Sequence, residues 1–161
     1  MNQENNHSFK YWNQGHLEAI KRAQSYAELG EIALEHLIMM PNPITQVCGP
    51  ISTGGYGSVE KNLEVFDTTI RKLMSNGEII FNQMPFEWPM QELKKKGRLP
   101  GNEANLSVLT GFYLPIFKSG LISRLSFIYG WESSFGARWE HDMTKEFGFE
   151  IKYLPRDFHL M

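Results

Sequence analysis

Residues 49–57, GPISTGGYG, place four glycines and a proline in nine positions. No regular element accommodates that composition, so the stretch is a turn-rich loop. Ahead of it, residues 44–48 form a short apolar run that reads as a fully buried first strand. Behind it, Ser58 fits a helix N-cap. Leu63, Phe66, Ile70, Leu73 and Met74 then recur on one helical face until Asn76-Gly77 closes the helix. Residues 78–81 read as a second strand. Strand, loop, helix, strand is a βαβ unit, which calls for a parallel sheet with right-handed crossovers.

The same order recurs downstream. A third strand over 121–129 runs into GWESSFGARWE (130–140), a turn with a glycine and two serines that opens a helix ending near Phe147. A last strand follows at 150–154. Between the two units, residues 83–103 contain Pro85, Pro89 and Pro100 and read as a long irregular connection, with a short helix near 90–96. Its basic run, Lys94, Lys95, Lys96 and Arg98, reads as a solvated face. Residues 105–119 are apolar and helical, bent at Pro115. Upstream, residues 14–40 are helical, as two helices or one broken near Gly30. Leu29, Ile32, Ala33, Leu37 and Met40 share a stripe, and Pro41 and Pro43 stop it. This segment suits a flanking helix, a dimer arm or a lid. Residues 1–10 are polar and read as frayed. The expected architecture is α/β: a small doubly wound parallel sheet of the flavodoxin or Rossmann-like kind, flanked by helices. It spans residues 44–161, with an N-terminal helical extension at 1–43, and its site lies at the carboxyl ends of the first and third strands.

Bulk properties narrow the function classes. With 161 residues the chain fits one domain with a real core. A net charge of -2 gives no reason to expect nucleic acid as a partner. The single Cys48 leaves no disulfide framework and no cysteine-rich metal site. No apolar run reaches the ~18 residues of a membrane span. MNQENNHSFK is not patterned as a signal peptide, so a cytoplasmic protein is expected.

Two constellations carry chemistry. Glycines in the first loop let backbone N–H groups turn toward an anion at a helix start, and Ser52, Thr53 and Ser58 add hydroxyls. The loop has neither the Walker A lysine nor dinucleotide spacing. Alone, it suits a tight turn as well as an anion cradle. In the second, the helical period aligns Glu140 with Ala137, Met143, Thr144 and Phe147, facing the sheet. A desolvated carboxylate there suits a nucleophile at an anomeric carbon, and Ser133 or Ser134 caps the helix. A glutamate reaching solvent or Arg138 is the plainer alternative. Adjacent His141 and Asp142 point apart and give no metal spacing. His7, His16, His36 and His159 are scattered and read as surface groups, and Cys48 as inert packing. Trp88, Trp131 and Trp139 suit core packing or base stacking, with Trp131 in the turn itself the best placed for a base.

On these residues the chain resembles the nucleoside 2-deoxyribosyltransferase-like superfamily, including a branch with a Gly-Trp-Glu-x-Ser-x-Gly-Ala pattern, and the deoxynucleoside 5′-monophosphate N-hydrolases. The likeness spans roughly residues 46–154, from QVCGPISTGG to EIKYLP. In the transferases an Asp stands six residues before the nucleophilic Glu and holds the sugar 5′-hydroxyl; in the monophosphate hydrolases a Ser stands there. Ser134 occupies that place here, with Gly136 and Glu140 in register. A serine hydroxyl donates to a 5′-phosphate that a carboxylate would repel.

The resemblance implies cleavage, by hydrolysis or transfer, of the N-glycosidic bond of a nucleoside or nucleoside 5′-monophosphate. Glu140 is then the nucleophile. Gly49, Ile51, Ser52, Thr53, Gly54, Gly55, Trp131, Ser133, Ser134 and Gly136 bind substrate, and Tyr56 helps orient Glu140. It implies no metal or organic cofactor, and a homo-oligomer. The related enzymes carry an acidic Asp before or at the third strand, and this chain has no Asp or Glu between Ala104 and Trp131. Glu132, Glu103 or Glu87 is left as the general acid, a help typically worth ~10²–10⁴ in rate. Two alternatives stay open. One is a phosphoribohydrolase-type N-glycosidase, whose turn has Gly-Gly in place of Gly130-Trp131. The other is a nucleotide-binding relative with an interaction role.

Overall fold

The computed structural model describes residues 11–161. The frayed end expected at 1–10, and His7 with it, lie outside the described residues. Three parallel strands, β1 (Thr45–Cys48), β2 (Arg124–Phe127) and β3 (Glu150–Tyr153), pair in that order, with Gln46, Leu125 and Ile151 in one register. The chain is α/β as expected. The strand expected at 78–81 shrinks to one parallel bridge, Ile80 to Thr45, on the free edge of β1. Thr45 N–H donates to Ile79 O and Phe81 N–H to Thr45 O, both at 2.9 Å. Pairing stops there because Asn82 Oδ1 accepts from Met84 N–H at 3.1 Å and turns the chain into the next helix.

Alternating side chains divide the core. Val47, Ile80, Ile128 and Leu154 pack with Phe66, Ile70 and Leu73 of α3 (Val59–Ser75), which Ser58 caps by accepting Lys61 N–H at 3.1 Å. Ile44, Cys48, Phe81, Leu125 and Phe127 belong to a second cluster, built by the remaining helices. Among these, α1 (Gln14–Arg22) and α2 (Tyr26–Ile38) bring Ile20, Leu29, Ala33 and Leu37 into the same core as β1 and β2. They part at Ala23–Ser25, where Ser25 Oγ accepts Glu28 N–H at 3.1 Å, and not at Gly30. Gly30 stays inside α2, facing the carbonyls of Gly111 and Phe112 across a close crossing. His36 is not a surface group: it is buried and stacked on Trp12 with centroids 3.6 Å apart, and burial, then His16, lowers its pKa to about 4.

The stretch read as an irregular connection is helical: α4 (Met84–Gly97) and α5 (Gly101–Val108). Prolines misdirect the reading. Pro85 sits in the first turn, where no backbone N–H is required; Pro89 forfeits one bond close to that end; Pro100 is the N-cap of α5. A π turn (Leu109–Tyr113) joins α5 to α6 (Leu114–Lys118) and takes up the bend expected at Pro115. α7 (Phe135–Phe147) is capped by Ser134 and stopped by Gly148 at φ 70°. No helix among the described residues is long and apolar enough to cross a membrane.

Leu37, fully buried on α2, tests whether the first two helices share the cooperative core. Leu37→Ala should lower the unfolding free energy by about 2–5 kcal/mol in one urea transition. A separate early transition, or a loss below about 1 kcal/mol, would show instead that they ride on the outside.

Candidate active site

The helical phase of α7 carries Glu140 to the sheet, and the residue is 6% exposed. Gln46 Nε2 donates to its Oε2 at 2.6 Å and Cys48 Sγ to the same oxygen at 3.3 Å. These donors are two apart on β1 and so share a face. Cys48 is therefore a hydrogen-bond donor to the site as well as a packed side chain. Oε1 accepts nothing among the described residues, and Glu140 lines a cleft. Burial pushes its carboxyl up to about 8; the donors Cys48 and Gln46 pull the other way, and the charge of Glu87 adds to the rise.

Glu87 is the second carboxyl of this cleft, 4% exposed on α4. Tyr113, brought in by the π turn, donates its hydroxyl to Glu87 Oε1 at 3.0 Å, and Gln83 Nε2 donates to Tyr113 Oη at 3.1 Å. Burial pushes Glu87 up to about 7, with Tyr113 and Lys94 opposing. Burial also raises the Cys48 thiol and the Tyr113 phenol well above their usual ranges, so both stay protonated donors. Lys94 departs from the expected solvated run. It turns into the cleft, with Nζ donating to Ser52 Oγ at 2.6 Å and to Asn105 Oδ1 at 3.0 Å, and burial lowers its pKa. Gln91 Nε2 donates to the same Ser52 hydroxyl at 3.1 Å.

Of the residues expected from sequence, the cleft gathers Gly49, Ile51, Ser52, Thr53, Ser134, Gly136 and Glu140. The two loops are stitched together: Thr53 Oγ1 accepts Phe135 N–H at 2.9 Å and Ser133 Oγ accepts Gly55 N–H at 3.0 Å. Gly54, at φ 67°, fits because a Cβ there would collide with the Ser133 carbonyl. Gly54, Gly55 and Ser133 thus shape the loop junction from outside the cleft wall. Three others face elsewhere. Tyr56 is 46% exposed and meets His159 edge-on; Trp131 stacks on His141 at 4.2 Å; Glu132 lies beside Trp131 and Tyr153 at a separate surface hollow. None of the three lines the cleft that holds Glu140.

Gln46, Gln83, Lys94 and Tyr113 are the site residues that the sequence reading missed. Three of them left a trace: Gln46 is the polar member of a buried strand, Gln83 follows the Ile80 bridge, and Tyr113 interrupts an apolar helix. No family model, curated protein or solved structure matches the chain.

The two raised carboxyls set a pH dependence of stability. Unfolded, glutamate titrates near ~4.3. Folded, Glu87 and Glu140 hold their protons to about 7 and about 8. Between those values the unfolded chain binds fewer protons, so stability falls as pH rises from about 4.5 and levels off above about 8. Glu140→Gln should add on the order of 2–4 kcal/mol near pH 8.5 and nearly nothing near pH 4.5, by urea denaturation. An equal effect at both would mean Glu140 titrates normally.

Proposed function

We propose that the protein cleaves the N-glycosidic bond of a nucleoside 5′-monophosphate or nucleoside through a glycosyl-Glu140 intermediate. The observation that carries the reading is a pair of buried carboxyls, Glu140 and Glu87, on one cleft with a cation, Lys94, drawn into it. Two such carboxyls disfavour joint ionisation and tend to share one proton, the state that an attacking carboxylate and a neutral acid require. The sheet is read as doubly wound. On that reading the chain passes from β1 to the Ile80 bridge on one side and then to β2 on the other, and the cleft belongs at the switch point between them.

In the first step Glu140 Oε1 attacks C1′ of the sugar. The C1′–N bond breaks, its electron pair stays on the base, and Glu87 gives its proton to a base nitrogen. Gln46 and Cys48 hold Oε2, which keeps Oε1 aimed at the cleft. In the second step water loses a proton to Glu87, attacks C1′ and frees Glu140; a second base in place of water makes the reaction a transfer. Lys94, Ser52, Thr53 and Ser134 are read as the 5′-phosphate contacts, a cation and hydroxyls at a helix start. Glu87 thus takes the acid role left open by the sequence, and Glu132 and Tyr56 have no part in it.

The test is base release from purine and pyrimidine nucleoside 5′-monophosphates. The profile of kcat/KM should be bell-shaped, with limbs set by the pair near about 7 and about 8. The pair's single proton sits mainly on Glu140, the higher of the two, so the reactive form, Glu140 ionised and Glu87 protonated, is the minor arrangement and the two limbs belong to the pair as a whole. Glu87→Gln should cost ~10²–10⁴ and remove the alkaline limb. Glu140→Ala should abolish release; equal release by that variant, or nucleotide binding with no turnover at all, overturns the reading.

A further inference from the structure

We propose that the inner end of the cleft selects a leaving base with an amidine edge, a ring nitrogen acceptor beside an exocyclic amino group, and that Gln83 reads the amino group. The base belongs to the reaction proposed above, and the inference rests on that reading.

Gln83 is 2% exposed and lines the cleft, yet its Oε1 is buried with no partner among the described residues. A buried acceptor left unpaired costs about 1–3 kcal/mol, so a ligand N–H there is favoured. The orientation of the amide is fixed by its neighbours. Tyr113 has one hydroxyl proton and donates it to Glu87 Oε1 at 3.0 Å. Toward Gln83 the phenol therefore only accepts, which it does from Nε2 at 3.1 Å. Turning the amide over would need Tyr113 to donate to it instead, and Glu87 would then have to spend its own proton on the phenol rather than on the base. Any group that reaches Gln83 Oε1 therefore meets an acceptor.

Glu87 supplies the complement. One of its oxygens is occupied by Tyr113, and in the protonated acid the other carries the O–H. A donor and an acceptor tied to one phenol match a ring nitrogen flanked by an amino group, as on adenine or cytosine. The proton that Glu87 gives up then lands on that ring nitrogen. A base with an oxo group in the same place, such as hypoxanthine or uracil, sets its carbonyl against Gln83 Oε1 and leaves that acceptor unpaired. Met90, Val108 and Leu109 give the cleft apolar walls suited to a flat ring.

Adenine and hypoxanthine 5′-nucleotides, and cytosine and uracil ones, are the pairs to compare by kcat/KM for base release. The amino member should be preferred at least about tenfold. Gln83→Leu should bring each ratio to within about threefold of one. Tyr113→Phe, which frees the amide to turn, should reduce the ratio while Gln83 remains. Equal rates, an oxo preference, or a ratio unmoved in both variants overturns the inference. Calorimetry of free adenine and hypoxanthine with Glu140→Gln protein separates this from failure of the proposed reaction. Tighter adenine supports the selection even if no nucleotide is cleaved, whereas equal affinity, tighter hypoxanthine or no binding of either overturns it.

Discussion

The contact on which the site depends is the one between Glu140 and the β1 side chains Gln46 and Cys48. Burial strips most of the solvation from the Glu140 carboxyl, so donors from the protein replace it. β1 supplies them because a strand repeats its face every second residue, and α7 supplies the carboxyl because Ser134 starts the helix in the right phase. Elements 94 residues apart in sequence are thereby held in register. Both donors take the same oxygen. The other is left facing the cleft, and that asymmetry distinguishes an aimed carboxyl from one merely accommodated.

Glu87 converts that arrangement from a buried acid into a pair. Each carboxyl meets burial first, and the charge of Glu87 adds to the rise at Glu140. Lys94 offsets part of this at Glu87, but its own charge is penalised by burial, so it balances the pair incompletely. With one cation for two acids, the cleft favours a single shared proton near neutral pH. Lys94 Nζ meanwhile holds two neutral oxygens, Ser52 Oγ and Asn105 Oδ1, and no carboxylate among the described residues. A cation partnered only by dipoles retains most of its attraction for an incoming anion.

Much of the frame was legible because it follows from local rules. The loop at 49–57, the caps Ser58 and Ser134, and the inward phase of Glu140 each need only neighbours in sequence. What escaped depends on tertiary placement. Prolines at 85, 89 and 100 read as breakers, yet two of them stand where a helix start or cap requires no N–H. One lysine of a run of three turns inward because the mouth of the cleft lies beside it, a fact absent from the run itself. Trp131 sits in the right turn and on the wrong side: a 3₁₀ turn sends its ring toward His141 and Tyr153. Glu87 is one of three glutamates open as candidate acids in the sequence, and what sets it apart is the π turn that brings Tyr113 against it.

Local consistency breaks down in the same place. Gln46 Oε1 and Gln83 Oε1 are two of four buried side-chain atoms without partners among the described residues; the others are Trp12 Nε1 and Ser126 Oγ. Each glutamine uses its amide hydrogens to support a carboxyl, Gln46 directly and Gln83 through Tyr113, and leaves its carbonyl unserved. A leucine at 83 would pack without an orphaned acceptor, whereas at 46 it would remove the orphan but also take a donor from Glu140. An amide at these points makes sense if the carboxyls must be held as acids and bases of defined aim, with the unpaired acceptor retained as the cost of that aim. The first orphan belongs to a donor of Glu140, and the second to a residue that lines the cleft.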